Sequence, residues 1–393
     1  MPQAVTGRPV RVALLHNIIS PHVVPLFERL AHQPGIDLKV YFLAESDRNR
    51  RWATAIDRSF DYEILPHWAL RVGRTDLSTF FINPTIISAL QRDGFDVLVS
   101  VGWDSFAALG AFALCKLRRK PFVLWSGSTV NEPSWRRTMT LPLVKQVVRG
   151  SNSWIAYGSR AREYLVGLGA YANRVFLAFN TVDVDWFRAR ADELRPHRAA
   201  IRQELGLGDG PVVLYVGQLI ARKGPFDLLA AHELLLQRIP DVQLVFVGYG
   251  QLEPELRARV AQQQIGGVHF AGHVAIPDLP RYYVAADTFV LPSHEEVWGL
   301  VLNEAAACGL PIISTDVTGA APDMIEPGVN GQIVPVADSR RLASAILEVL
   351  NNRLKMGAAS SRLMEWRTYS QNVGAILDAL AAATVPPLTA QRR

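Results

Sequence analysis

Glu296 and Glu304 stand in a Glu-x7-Glu pattern within Pro292-Ser-His-Glu-Glu-Val-Trp-Gly-Leu-Val-Leu-Asn-Glu-Ala-Ala-Ala-Cys-Gly-Leu-Pro311, the stretch of this chain richest in groups that could do chemistry. An extended run from Thr288 to Pro292 leads to Gly299, where a helix over Leu300 to Cys308 is expected to begin. A helix start presents unpaired backbone N–H groups and a partial positive charge, so Gly299, Leu300 and Val301 suit an anion, above all a phosphate. Glu304 falls one turn beyond Leu300 on the same helix face, where a carboxylate can accept two hydrogen bonds from a ribose diol. Glu296 precedes the turn and can reach a group on the far side of the phosphates, such as a sugar. Spacing alone leaves a simpler reading open. Glu295 and Glu296 also favour a helix start electrostatically, and Glu304 can be a solvated helix residue.

Three further segments fall where apolar runs end. Tyr215-Val-Gly-Gln-Leu-Ile-Ala-Arg-Lys-Gly-Pro225 gives a strand, Gly217, Gln218, a short loop, and then Arg222 and Lys223 at a helix start. Lys223 there can reach a phosphate, and Arg222 can grip phosphate oxygens in bidentate fashion. A lone Lys before Gly is otherwise a solvated turn residue. Phe246-Val-Gly-Tyr-Gly places Gly248 where backbone can approach a ligand, although a plain tight turn reads the same way. Phe270-Ala-Gly-His-Val274 ends another strand, and His273 by itself is an ordinary exposed histidine.

The elements that must hold these residues alternate. Short β-rich apolar runs such as Val10–Leu15, Val97–Val101 and Val212–Val216 are separated by segments of helical period. That order implies α/β architecture, with parallel sheets flanked by helices and right-handed crossovers. The alternation occurs twice, and 393 residues exceed one ordinary core, so two doubly wound domains are expected. Residues 184–210 are polar and rich in Arg and Ala, and read as the boundary. Ligands of such sheets bind beyond the C-terminal strand ends, which for two facing domains means a cleft between them.

The string Glu-x-Trp-Gly-Leu-Val-x-x-Glu-Ala, ending in Cys-Gly-Leu-Pro-Ile-Ile, resembles the signature of glycosyltransferase family 4, retaining enzymes of the GT-B fold. The four strand-end segments match that family's donor-binding domain in order and spacing. The resemblance implies two Rossmann-like domains facing a central cleft. Residues 1–190 would form an acceptor domain, 191–365 a nucleotide-sugar domain, and 366–384 a closing helix that crosses back to the N-terminal domain. It implies that Glu296 serves the donor sugar and Glu304 the ribose. Gly217, Gln218, Arg222, Lys223, Gly248 and Val274 would line the donor, with Val274 near the base. Glu296 and Lys223 would carry catalysis. The reaction implied moves a hexose or N-acetylhexosamine from a nucleoside diphosphate sugar, UDP-linked in preference to GDP-linked, to a hydroxyl acceptor that can be lipid-linked. Epimerases, sugar phosphorylases and non-catalytic nucleotide-sugar binders share the architecture and remain alternatives.

The chain departs from the family pattern in places. Gln218 stands where Arg is frequent. The first loop, His16-Asn-Ile-Ile-Ser-Pro-His22, lacks the usual glycines, and Leu124-Trp-Ser-Gly-Ser-Thr129 lacks the usual histidine. No catalytic histidine is therefore carried over. His16, Asn17, His22, Trp103, Asp104 and Ser126 are the candidates for acceptor contacts.

Composition narrows the remaining classes. The longest apolar run, Phe106 to Cys115, is too short to span a membrane, and Val12 to Leu15 is too short for a signal core. Cys115 and Cys308 sit in apolar helical contexts and read as buried free thiols, which points to a cytoplasmic protein. Net charge is +9 over residues 1–190 and −4 over 191–393. The basic half, with Lys116-Leu-Arg-Arg-Lys120 and Trp135 to Arg149, could meet an anionic membrane from the inner face. Alternatively, Leu141, Val144 and Val148 face the core and the cations are merely solvated. No nucleic-acid partner is indicated, and no cofactor or metal is expected. Asp183-Val-Asp185 imitates a metal-binding Asp-x-Asp, but it lies in a segment that resembles the family's interdomain stretch.

Overall fold

The computed structural model describes residues 8–46, 59–71, 79–130 and 135–385. The chain divides into two compact units, Met1–Phe179 with Tyr369–Arg393, and Asn180–Thr368.

The first unit contains β1 (Val10–Ile18), β2 (Ile36–Ala44), β3 (Asp61–Ile64), β4 (Trp68–Arg71), β5 (Thr79–Ile82), β6 (Val97–Val101), β7 (Phe122–Ser126), β8 (Ser153–Ala156) and β9 (Val175–Leu177). Seven of them form one parallel sheet in the order β3-β2-β1-β6-β7-β8-β9. β4 and β5 form a separate antiparallel pair. Both faces of the sheet are covered at its centre, so β6, β7 and β8 are buried along nearly their whole length, and the two-residue period divides the inner strands between two cores. Ala13, Leu15, Leu98 and Leu124 face one core. Val12, Leu14, Val97 and Val123 face the other.

The helix Tyr369–Thr384 closes this second core with Tyr369, Val373, Ile376, Leu380 and Ala383, spaced by three or four residues along one face. Each large apolar side chain buried there contributes about 1.5–3 kcal/mol. Two hydrogen bonds fix the helix further: Ser153 Oγ donates to the Ala379 carbonyl (2.7 Å) and the Tyr369 hydroxyl to the His22 carbonyl (2.9 Å).

The second unit contains β10 (Val212–Val216), β11 (Gln243–Val247), β12 (Val268–Gly272), β13 (Thr288–Leu291), β14 (Ile312–Thr315) and β15 (Gly331–Val334). They form a parallel sheet in the order β12-β11-β10-β13-β14-β15. In each sheet the strand order reverses once, between β1 and β6 and between β10 and β13. The C-terminal ends of these strand pairs are where a doubly wound sheet leaves a crevice for a ligand.

The division between the units falls before residues 184–210, not within them. They form the helices Val184–Leu194 and Arg198–Glu204, and the first unit ends at Phe179 rather than at residue 190. Val184, Phe187 and Ala191 bury one face at helical spacing, and Asp183 caps the start by accepting the Trp186 N–H (3.1 Å). The Arg- and Ala-rich composition is good helix-forming sequence that looks polar only when its period is ignored. The same capping bond accounts for Asp183 in the Asp-x-Asp string.

Candidate functional site

The segments after β10 and β13 meet at the strand-order reversal of the second unit. Lys223 ends a short helical turn, Ala221–Lys223, and Gly224 follows with φ +63°. A Cβ at Gly224 would lie 2.1 Å from the Pro292 carbonyl oxygen, so only glycine allows this turn to press against the β13 segment. The contact is tied by the Arg222 carbonyl, which accepts the N–H groups of His294 (2.8 Å) and Glu295 (3.2 Å). His294 pairs in turn with Asp227. The result is an ion pair between the Lys223 ammonium and the Glu296 carboxylate, each side chain 13% exposed.

Glu296 is also fixed through its backbone. It bridges to Thr318, and its carbonyl accepts the Gly319 N–H (2.9 Å). Three residues on, Gly299 takes a left-handed conformation (φ +95°), where a Cβ would come 2.8 Å from the Leu291 side chain. The helix Leu300–Ala307 starts there. The N–H groups of Leu300 and Val301 are in its first turn and have no partner within the helix. Trp298 Nε1 donates to Asn303 Oδ1 (3.1 Å), and Asn303 Nδ2 donates to the Asn180 carbonyl (3.3 Å), which pins the helix start from behind.

Glu304 is not a solvated helix residue. It is 4% exposed and accepts a 2.6 Å hydrogen bond from the Tyr283 hydroxyl. Burial pushes its carboxyl up to about 7, against the opposing pull of that bond. The Tyr283 phenol is driven well above its ordinary value by burial and by the nearby Glu304 charge, so it stays a donor.

The other residues that the sequence suggests for the donor follow the ends of β10, β11 and β12. The Gln218 carbonyl accepts the Tyr215 hydroxyl (2.8 Å), which holds the loop after β10. Burial first, and then the charge of Glu296, raise the Tyr215 phenol, while Arg222 opposes them. Gly217 donates its N–H to the Val247 carbonyl (2.9 Å), and Gly248 donates to the Gly272 carbonyl (2.7 Å). Those two N–H groups are used within the protein, so any role of these glycines is close approach rather than donation. Val274 follows β12 and is half-buried. His273 beside it is exposed, its ring 5.7 Å from that of Tyr249.

In the first unit the acceptor candidates sit at the ends of β1, β6 and β7, neighbours at the other reversal point. His16 is buried, edge-on to Phe27 (5.4 Å) and Phe42 (6.0 Å), and its Nδ1 donates to the Ile18 carbonyl (3.0 Å). It is a core residue. Ser126 is buried, and its Oγ accepts the Ser128 N–H (3.2 Å). Trp103 packs against the core, and His22 is half-buried. Asn17 and Asp104 are exposed.

Sequence reasoning missed Tyr283, Asn303, Trp298 and Tyr215 as parts of the site. Asn303 carried a signal: a polar residue between Leu302 and Ala305 in an apolar helix is one that needs a buried partner.

A family model described as "Glycosyl transferases group 1" matches residues 197–369, a range that includes Lys223, Glu296, Gly299 and Glu304. A GDP-mannose-dependent alpha-(1-6)-phosphatidylinositol monomannoside mannosyltransferase of Mycobacterium tuberculosis is 30% identical over 316 residues, 76% of this chain and 79% of its own length. The chain belongs to the group 1 glycosyl transferases. A GDP-mannose-dependent monoacylated alpha-(1-6)-phosphatidylinositol monomannoside mannosyltransferase of Corynebacterium glutamicum is 28% identical over 352 residues, covering 84% of this chain and 88% of that one. The crystal structure of Anabaena HepE in complex with UDP superposes with a TM-score of 0.73 at 18% identity, over 95% of this chain and all (100%) of that one. At this identity the likeness speaks to fold, and the two Rossmann-like α/β domains are those of GT-B glycosyltransferases.

Proposed function

We propose that this glycosyltransferase moves a hexose from a nucleoside diphosphate sugar to a hydroxyl acceptor, with retention of the donor's anomeric configuration. The observation that carries the reading is the Lys223–Glu296 pair held beside the Gly299 helix start. Without ligand the two charges neutralise each other. A bound diphosphate competes for Lys223, and Glu296 is then released to accept hydrogen bonds from sugar hydroxyls. The glycosidic C1–O bond breaks, and charge grows on the leaving diphosphate oxygen. The Lys223 ammonium, the first helical N–H groups and Arg222 stabilise that charge. The acceptor oxygen bonds to C1 on the face from which the leaving group departs, and its proton passes to the leaving phosphate. No protein base is required for that step.

The Corynebacterium and Mycobacterium relatives are named for GDP-mannose, so GDP-mannose stands ahead of UDP-sugars as the proposed donor. Their names also support a phosphatidylinositol-linked acceptor. Every phosphate contact proposed comes from Lys, Arg or backbone N–H, so the nucleotide is proposed to bind without a metal ion.

A lipid acceptor fits attachment to an anionic membrane surface through the first unit. Phe106, Leu117, Met139 and Leu143 are exposed on the helices Phe106–Leu117 and Trp135–Gly150, and Leu117 is followed directly by Arg118 and Arg119. Val144 and Val148 are buried and Leu141 packs on the core, so the second helix has one face inward and an apolar strip left outside. The side chains of residues 135–138 lie outside the described residues. No helix among the described residues is long and apolar enough to cross a membrane.

Thermal-shift measurements with GDP-, UDP- and ADP-sugars, with and without EDTA, test the donor. Mass spectrometry after incubation with lipid extract tests the transfer. The reading expects stabilisation by GDP-mannose that survives chelation, and a lipid heavier by one hexose. Failure of every nucleotide sugar to stabilise the folded protein would reject it.

A further inference from the structure

We infer that Tyr283 is a positioning residue that aims the Glu304 carboxylate at the ribose diol of the donor nucleotide. The inference rests on the reading of Glu304 as the ribose acceptor and adds a residue to it. Tyr283 lies in the helix Leu279–Ala285, on an element that the Glu-x7-Glu motif does not include. Its ring is fully buried and wedged between Phe187 (6.3 Å) and Phe289 (6.0 Å). A ring locked on two sides delivers its hydroxyl to one place, and that place is Glu304 Oε2, at 2.6 Å. No other described residue donates to this carboxylate.

The hydroxyl has two effects. It fixes the plane of a side chain that otherwise has rotamers to choose from, which leaves the second oxygen, Oε1, to face the ligand. It also favours the ionised carboxylate that a diol needs as its acceptor, against burial, which favours the acid.

The other charged groups nearby do not supply this. Cys308, one turn along, has its thiol held well up by burial and by Glu304, so it stays neutral. On the helix Val184–Leu194, Arg188 bonds to the Ser361 carbonyl, Asp185 is exposed and Arg190 pairs with Glu193. Just beyond, Arg195 pairs with Asp192 and reaches the Cys308 carbonyl. On the helix Arg353–Met364, Arg353 is committed to Asp287, and Lys355 and Arg362 are exposed. Arg281, on the same helix as Tyr283, pairs with Glu204. β13 and β14, which pack on the helix Leu300–Ala307 that carries Glu304, have no ionisable side chain.

The test compares GDP with 2′,3′-dideoxy-GDP, which keeps the diphosphate and base but lacks the diol, in titrations from pH 6 to 9. Tyr283→Phe preserves the ring and its packing. It is expected to weaken GDP about tenfold at pH 7, the size of one hydrogen bond to a charged group. The midpoint of the pH dependence should move upward by about one unit, with affinity recovering at high pH. Binding of the dideoxy nucleotide should stay within twofold of wild type. Phe187→Leu loosens the wedge while keeping the hydroxyl, and should give a smaller loss confined to GDP. Equal losses for both nucleotides, or a Tyr283→Phe protein with an unmoved pH midpoint, would overturn the positioning role. Glu304→Ala separates the two claims. If it discriminates GDP from the dideoxy form while Tyr283→Phe does not, the ribose reading stands and the role of Tyr283 falls. If Glu304→Ala itself does not discriminate, the ribose reading falls.

Discussion

Replacing Glu304 with Gln should make the protein more stable in alkaline solution while impairing it as an enzyme. Burial pushes this carboxyl from its ordinary 4.5 up to about 7. Between those values the folded protein keeps a proton that the unfolded chain has released. The group therefore favours folding fully below the unfolded value, and the contribution is lost as pH rises through about 7. A shift of this size corresponds to about 3 kcal/mol at 1.36 kcal/mol per unit. Gln is close to isosteric, still accepts from the Tyr283 hydroxyl and carries no charge, so it escapes that loss. The assay is urea denaturation of wild type and Glu304→Gln at a series of pH values from 4.5 to 8. The stability difference should move by about 3 kcal/mol in favour of Gln across that range. At pH 8 nucleotide affinity should move the other way, because an amide can accept with only one atom. A pH-independent difference, or one that grows in favour of Glu as pH rises, would refute the claim that burial dominates at this site.

Lys223→Ala should lower kcat by about 10²–10³, the cost of removing one preorganised group that stabilises developing negative charge, and steady-state kinetics with saturating donor would read it. Asp287 is buried and bonded to Arg202 (2.6 Å), Arg198 (2.8 Å), Arg353 (3.2 Å) and the Val212 N–H (2.9 Å). Asp287→Ala should destabilise the second unit by about 3–5 kcal/mol, because it strands the Arg202 charge, and chemical denaturation would show a lower midpoint. In liposome flotation at low salt the protein should be recovered with anionic but not neutral vesicles, and be released by added salt; equal recovery with both would exclude attachment through the basic surface.

Much of this architecture was legible because its signals are local. The strands Val97–Val101, Val212–Val216, Gln243–Val247 and Thr288–Leu291 have the limits that their apolar runs suggest. Both faces of each sheet are covered, so the runs are continuous and their ends sharp. β3, β4, β5 and β15 were not legible. Each is only four residues long, with charged or polar residues or glycine among them, so none carries an apolar run long enough to announce a strand. The helices Val184–Leu194, Arg198–Glu204 and Arg353–Met364 were hidden by polar composition, although Phe187, Ile201 and Met356 are buried.

In the site itself, the turn at Lys223-Gly224 and the helix start at Gly299 follow from glycine placement. The partners do not. That Lys223 would pair with Glu296, and that Tyr283 would reach Glu304, depends on how β10, β13 and the helix Leu279–Ala285 pack, which no spacing along the chain records. Burial at His16 was equally hidden from the sequence. A histidine at a strand end looked available, but the Phe27 and Phe42 rings close over it.

The most direct measurement of the central claim is the anomeric configuration of the product. Purified protein, GDP-mannose and a phosphatidylinositol-linked acceptor should give, by NMR of the new anomeric proton, a glycoside with the donor's configuration retained. Glu296→Ala should abolish it while still binding GDP. An inverted glycoside, an epimerised donor, or a free sugar phosphate as the main product would contradict the account.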